Sequence, residues 1–293
     1  MEFKIWKEYF RHNQNHFANI DFIGHDCLSM EERSVISSSL QQFQKGESSE
    51  GRHLFAFAKQ FEDPEYLECI RLFIREEQKH ASILAAFMHK YDIPLIKGHW
   101  VDGVFRWLRK AGGIHNTVGI LLIAEIIAKV YYRALYEATE CDLLKKICLQ
   151  ILRDEEEHIS FQCDLLKIFH RRRSWFSNFL RGSFQLFLMI GTTLVVWWYH
   201  KKVLKQGRYF FGRYVFETLS VFFEASQQIK KLEFSYKEKG NDCSLTTNLI
   251  VSVSIADKKS PGVIGGTFFV LSSLSKDQSR NQIPWRNTRS VFL

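Results

Sequence analysis

The chain has 293 residues, 46% hydrophobic and 25% charged, with a formal net charge of +8. That composition supports one large buried core, and a single helical domain with extensions fits it better than two independent domains. Six cysteines, at 27, 69, 141, 148, 163 and 243, show neither disulfide-framework nor zinc-ligand spacing, which argues against a disulfide scaffold or zinc finger and for a reducing, cytoplasmic setting.

Residues 1–30 mix basic, acidic and histidine side chains without an apolar run. No cleavable signal is therefore expected, and the segment is expected to pack on the helices that follow. His12, His16 and His25 read as scattered surface histidines. From Leu40 the pattern becomes helical. Leu40, Phe43, Glu47, Glu50, Leu54, Phe57 and Phe61 recur at steps of 3 and 4, and a second stripe follows at Leu67, Ile70, Ile74, Glu77, Ala81, Leu84 and Met88. Between them Asp63 and Pro64 read as an N-cap and first helical residue.

Residues 92–114, with Pro94, Gly98, Gly103 and the pair Gly112-Gly113, read as a long crossover holding a short helix over Val104 to Lys110. A stretch of that length can run back along a helix of about 38 Å. Two further stripes follow. Val118, Leu121, Glu125, Ala128, Tyr132 and Leu135 form the first, and Ile147, Ile151, Glu155, His158, Gln162 and Leu165 the second, with Asp142 as the expected N-cap between them.

Two copies of one pattern emerge. Glu77-x-x-His80 and Glu155-x-x-His158 stand 78 residues apart, and each is preceded by a glutamate 30 positions upstream, Glu47 and Glu125, themselves 78 apart. One Glu-x-x-His is common by chance, whereas the doubled spacing is not. Residues three apart share a helix face, so each pair can offer an oxygen and a nitrogen to one metal. Four carboxylates inside apolar stripes would be costly unless protonated or bound to metal. Equal spacing about the turns near 62 and 140 brings the glutamates of each hairpin to the same height.

Antiparallel hairpin, long crossover, antiparallel hairpin is the ferritin-like topology, in which one Glu from each of two helices joins two Glu-x-x-His motifs. Residues from about 36 to 170 resemble the ferritin-like superfamily of di-iron carboxylate proteins, nearest to rubrerythrin and bacterioferritin. Lys45-Gly46-Glu47-Ser48 resembles the first rubrerythrin helix, and Ile151-Leu152-Arg153-Asp154-Glu155 with His158 resembles the fourth. The resemblance implies an all-α, ferritin-like four-helix bundle over 31–171, with metal ligands Glu47, Glu77, His80, Glu125, Glu155 and His158. It implies a rubrerythrin-like protein without the rubredoxin module, since the chain has no Cys-x-x-Cys.

Oxygen-rich, carboxylate-bridged pairs favour two iron ions, with manganese or a mixed Mn/Fe pair sharing the preference. Glu77 and Glu155 are then expected to bridge, Glu47 and Glu125 to cap, and each imidazole to bind one ion. Glu76 and Asp154, each just before a motif glutamate, are candidates to hold the opposite histidine. Glu50 competes with Glu47 as the first-helix ligand, although Ala128 at the matching position of the repeat favours Glu47. Tyr131 and Tyr132 read as core packing, with a redox or hydrogen-bonding role as the alternative.

Charge is uneven. Residues 1–170 carry a net −4 and residues 171–293 a net +12, so an anionic membrane surface or an acidic partner is conceivable for 171–232. No nucleic acid is expected, because no recognised module accompanies the charges. Residues 182–199 are uncharged and sit at the lower edge of a membrane-spanning length; the preferred reading is a helix buried against the bundle. An amphipathic helix follows from about Tyr209 to Ile229, giving a helical extension over 172–232. Residues 233–293 read as a low-order tail with β-prone runs at Thr247 to Ile255 and Gly266 to Leu271.

The function expected on these grounds is a di-iron oxidoreductase that takes O2 or peroxide, with an external electron donor and an unread substrate, and with a homo-oligomer as one assembly. The alternatives are an iron-handling ferroxidase and a metal-free helical interaction protein.

Overall fold

The structure, a computed structural model, describes residues 3–23, 28–48, 51–98, 100, 103–104, 107–108, 113–171 and 174–239. The described residues are all-α. The elements are α1 (Phe3–His12), a 3-10 turn (Asn13–Asn15), α2 (Met30–Glu47), α3 (Arg52–Lys59), α4 (Pro64–Lys90), α5 (Gly113–Ala138), α6 (Asp142–Arg171), α7 (Trp175–Gln206) and α8 (Phe211–Lys239).

Local chemistry sets the starts. Ser29 accepts from Glu32 N while the Glu32 side chain answers Ser29 N, a capping box that begins α2. Asp63 accepts from the amides of Glu65 and Tyr66, and Pro64 supplies the first helical φ of α4. The α6 start differs from the sequence reading by one residue. Asp142 is the first helical residue, because Cys141 O accepts from Lys145 N and the Thr139 hydroxyl caps Cys141 N.

The first stripe is not one helix. The chain breaks between Glu47 and Arg52, with Gly51 at φ 61°, so α3 continues in phase but as a separate element. Only glycine takes that conformation without strain, and a Cβ there would also strike the Ile74 side chain. Beyond Lys90, residues 103–104 and 107–108 are helical; the rest of the expected Val104 to Lys110 helix lies outside the described residues. α8 runs on to Lys239 rather than stopping near 233, and the β-prone runs lie outside the described residues.

Helices α2, α4, α5 and α6 share a core, with α3 against α4 and α5, and with α5 and α6 in the most extensive contact. Two apolar clusters fill it. One joins Leu54, Ile70, Phe73, Ile123, Phe161 and Leu165, the other Leu40, Leu84, Phe87, Tyr131, Leu144 and Ile151. Early residues of α2 and α6 therefore meet late residues of α4 and α5, so neighbouring helices run antiparallel. On α4 and α6 the motif residues fall between the clusters, and Glu47 of α2 and Glu125 of α5 stand beside them, which makes one polar layer in an apolar core.

Outer helices cover this core. α1 lies on α4 and reaches α6 through Trp6 Nε1, which donates to Asp164 at 3.1 Å. α7 packs on α5 and α2, and α8 on α6, α5 and α7. α7 is not buried as expected from its apolar sequence: only 22% of its most hydropathic window is buried. The covered side carries Met189, Thr192, Thr193, Val196 and His200, and the opposite side is open.

Gly207, at the end of α7, lies so close to the Ala134 backbone that a Cβ would collide with its carbonyl. Backbone cannot yield as a flexible side chain can, so Gly207→Ala should pry α7 from α5. The expected cost is about 2 kcal/mol, seen in thermal denaturation as a Tm lowered by roughly 4 to 8 °C. An unchanged Tm would mean that the two helices part freely at this end.

Candidate metal centre

Each motif residue reaches the polar layer because i and i+3 on α4, and again on α6, face the same way. Glu77, His80, Glu155 and His158 each present one donor atom such that all lie within 4.8 Å of one another. The Nδ1 of His158 is 2.8 Å from Glu77 Oε1 and 3.7 Å from Glu155 Oε2. His80 Nδ1 is 3.6 Å from Glu155 Oε1 and 3.9 Å from Glu77 Oε1. Both imidazoles thus look at both carboxylates. Glu155 and the two histidines are fully buried, and Glu77 is partly buried, its side chain 17% exposed.

Each histidine is held from behind by the other helix. His80 Nε2 lies 3.0 Å from Asp154 Oδ2, and His158 Nε2 lies 3.1 Å from Glu76 Oε1. The residue before each motif glutamate therefore orients the histidine of the other copy. With Nε2 so engaged, Nδ1 is left to point inward. Phe73 and Phe10 pack edge-on and tilted against the His158 ring, and Phe17 against His80, which shields the layer from water.

Glu47 and Glu125 flank the four. The Glu47 carboxyl accepts from Tyr132 Oη at 2.8 Å and feels the charge of Glu77, while Glu125 feels that of Glu77 and Glu155. All six expected ligands are thus brought to one layer, four as a tight group and two at its sides. Glu50 lies outside the described residues. Tyr132 is buried as packing would require, and its hydroxyl also holds Glu47.

Some groups carried no sequence signal. Asn13 Nδ2 donates to Glu76 Oε1 at 3.0 Å and Asp154 Oδ1 at 2.8 Å, tying the two orienting carboxylates together. His16 Nδ1 stands 3.1 Å from Asp154 Oδ2 with its side chain 1% exposed, so it is not the surface histidine expected. Gln150 Nε2 also donates to Asp154. His25 lies outside the described residues.

The electrostatics follow from burial. Desolvation, then the charge of Glu77, pushes Glu47 up to about 8, and burial with the same neighbour pushes Glu155 up to about 8. Glu125 is driven well up by burial and by Glu77 and Glu155. Burial would raise Glu77 too, but the facing His158 and His80 outweigh it and hold it below the usual range. Burial opposes charge on the histidines, yet the carboxylates around them raise both, His158 most. Without cations the layer favours protons on three of its four central carboxyls. It has the donor set of a cation site: facing oxygens and Nδ1 atoms, of which Glu77 Oε1, both Glu155 oxygens and both Nδ1 atoms are buried without hydrogen-bond geometry to any partner.

Comparison with protein-family models, with curated proteins and with solved structures gives no match.

The raised carboxyls set a pH dependence. Glu47 and Glu155 rise from 4.5 to about 8 on folding, so the folded state holds protons that the unfolded state releases. Their contribution to stability is full below pH 4.5 and is lost as pH rises to about 8. Chelator-treated protein should therefore lose stability across that window in urea titrations at stepped pH. Stability that rises from pH 5 to 8 would contradict the buried, protonated carboxyls.

Proposed function

We propose that the chain is a ferritin-like di-metal carboxylate protein whose centre, in its iron form, reduces O2 or peroxide. The observation that carries this reading is the reciprocal cross: each imidazole faces both central glutamates through Nδ1 and is fixed through Nε2 by a carboxylate of the opposite motif. A structural polar cluster would have no need to leave those inward atoms without hydrogen-bond geometry. The doubled spacing, the antiparallel hairpins and the long connection between α4 and α5 support the ferritin-like arrangement.

In this reading Glu47, Glu77, His80, Glu125, Glu155 and His158 would together hold two ions. An oxygen-rich donor set with two imidazoles suits iron or manganese. Two ferrous ions would supply the electrons that O2 or peroxide takes up. The protein's own part is positioning. Tyr132, kept protonated by burial and by Glu47 beside it, donates to that carboxylate and fixes its orientation. Asp154 and Glu76 lock the imidazole tautomers, and the Phe10, Phe17 and Phe73 rings keep water from the layer.

Anaerobic titration with Fe(II) should saturate near two ions per chain, and the loaded protein should then consume O2; saturation at one ion, or none, would sink the di-metal reading. Continued O2 uptake in proportion to excess Fe(II) would assign ferroxidation rather than oxidation of an organic substrate.

The orienting carboxylates give a sharper check. Asp154→Asn leaves every proposed ligand in place but removes the charge that fixes His80, so metal affinity should fall about 10- to 100-fold in competition with a chromogenic chelator. Unaltered affinity, with a native circular dichroism spectrum, would mean that Asp154 is only a polar neighbour.

A further inference from the structure

We propose that the open face of α7 lies on an anionic lipid bilayer, parallel to its surface. α7 has 32 residues and no acidic one among them. Its outer side carries Trp175, Phe179, Phe187, Ile190, Leu194 and Trp198 in succession, with exposures from 44% to 79%. On a helix this stripe is about 35 Å long, and Phe210 and Phe211, exposed at the turn into α8, extend it. An apolar patch of this length on a folded protein marks an interaction surface.

The rim tells what covers it. Lys201 and Lys202, three and four residues after Trp198, are exposed, and the Lys201 ammonium sits 4.6 Å over the Trp198 ring. Arg171-Arg172-Arg173 precede the other end in sequence, and residues 171–293 carry the net +12. Tryptophan and basic residues at both ends of an apolar stripe match the layering of a bilayer surface: acyl chains, interface, anionic headgroups. A second copy fits worse. Two α7 faces packed together would set the exposed Lys201 and Lys202 of each copy against a helix that carries no acid.

Spanning the membrane is the wrong geometry for this helix. Its other face buries Thr192, Thr193 and His200 against the bundle, with His200 Nδ1 2.8 Å from the Ser39 hydroxyl of α2. Gly207 pins its end to Ala134 of α5. To cross a bilayer α7 would have to leave α2 and α5 and carry these polar groups into hydrocarbon. Lying in the interface keeps both faces satisfied.

The full chain should co-sediment with phosphatidylcholine vesicles that contain about one-third phosphatidylglycerol, and much less with pure phosphatidylcholine. Tryptophan emission should shift to the blue on binding, and added salt should weaken it. Two double variants divide the apolar and charge contributions: Phe187→Asp with Trp198→Asp, and Lys201→Glu with Lys202→Glu. Each should lose binding on the order of tenfold or more, and both sites are on the surface, so the helical circular dichroism should stay. Absence of vesicle binding by the native chain, equal binding by either folded variant, or a lipid-independent dimer that Phe187→Asp with Trp198→Asp dissolves in place of vesicle binding would overturn the proposal. Metal uptake is expected to be the same in both variants, so failure here leaves the reading of the polar layer standing.

Discussion

The structure depends on how it balances charge in one layer. Glu47, Glu77, Glu125 and Glu155 are placed between two apolar clusters, and Glu76 and Asp154 lie just behind the histidines. Removing an ionised carboxylate from water costs several kcal/mol even after relaxation, so this layer must hold protons or cations. Two imidazoles meet part of the demand. Metal would meet the rest, and the apolar clusters above and below then matter as insulation, since low dielectric strengthens each bond to a cation while keeping solvent away.

The layer was readable from sequence because repetition leaves a trace that packing does not. Glu47, Glu77 and His80 have counterparts 78 positions later, and so does Glu76 in Asp154, which is why the orienting pair is legible beside the expected ligands. Asn13 and His16 have no counterpart in the repeat and sit in a stretch without apolar periodicity. Their place against Asp154 is a tertiary fact, set by α1 packing on α4. The break at Gly51 stayed hidden for a different reason: α3 resumes the stripe of α2 in phase, so the spacing of Leu54 and Glu47 is the same with or without the interruption.

Exposure is another quantity that composition does not carry. The apolar run of α7 reads first as a core helix, with a membrane-spanning or interfacial helix as the alternative. Which of these holds is decided by neighbours, and α5 and α2 cover only the side bearing Thr192, Val196 and His200. The same holds for the extension of α8 to Lys239, where the change from apolar to polar composition reads as the end of a helix. Polar residues do not stop a helix unless they cap it.

The two halves of the layer are related by sequence but not by environment. Glu47 receives the Tyr132 hydroxyl, whereas the residue that stands 78 positions before Tyr132 is Leu54, which cannot serve Glu125 in the same way. Asp154 is shared by His80, His16, Asn13 and Gln150; Glu76 answers His158 and Asn13. A carboxylate that accepts from more donors has less electron density to give its histidine, so Asp154 should leave His80 the less basic imidazole of the pair. Against burial, which opposes charge on both rings, His158 is raised most by Glu77 facing its Nδ1 and His80 most by Asp154 behind its Nε2. The repeated spacing thus gives two similar halves of the layer, and Tyr132 at Glu47, with Asn13 and His16 at Asp154, makes the two unequal.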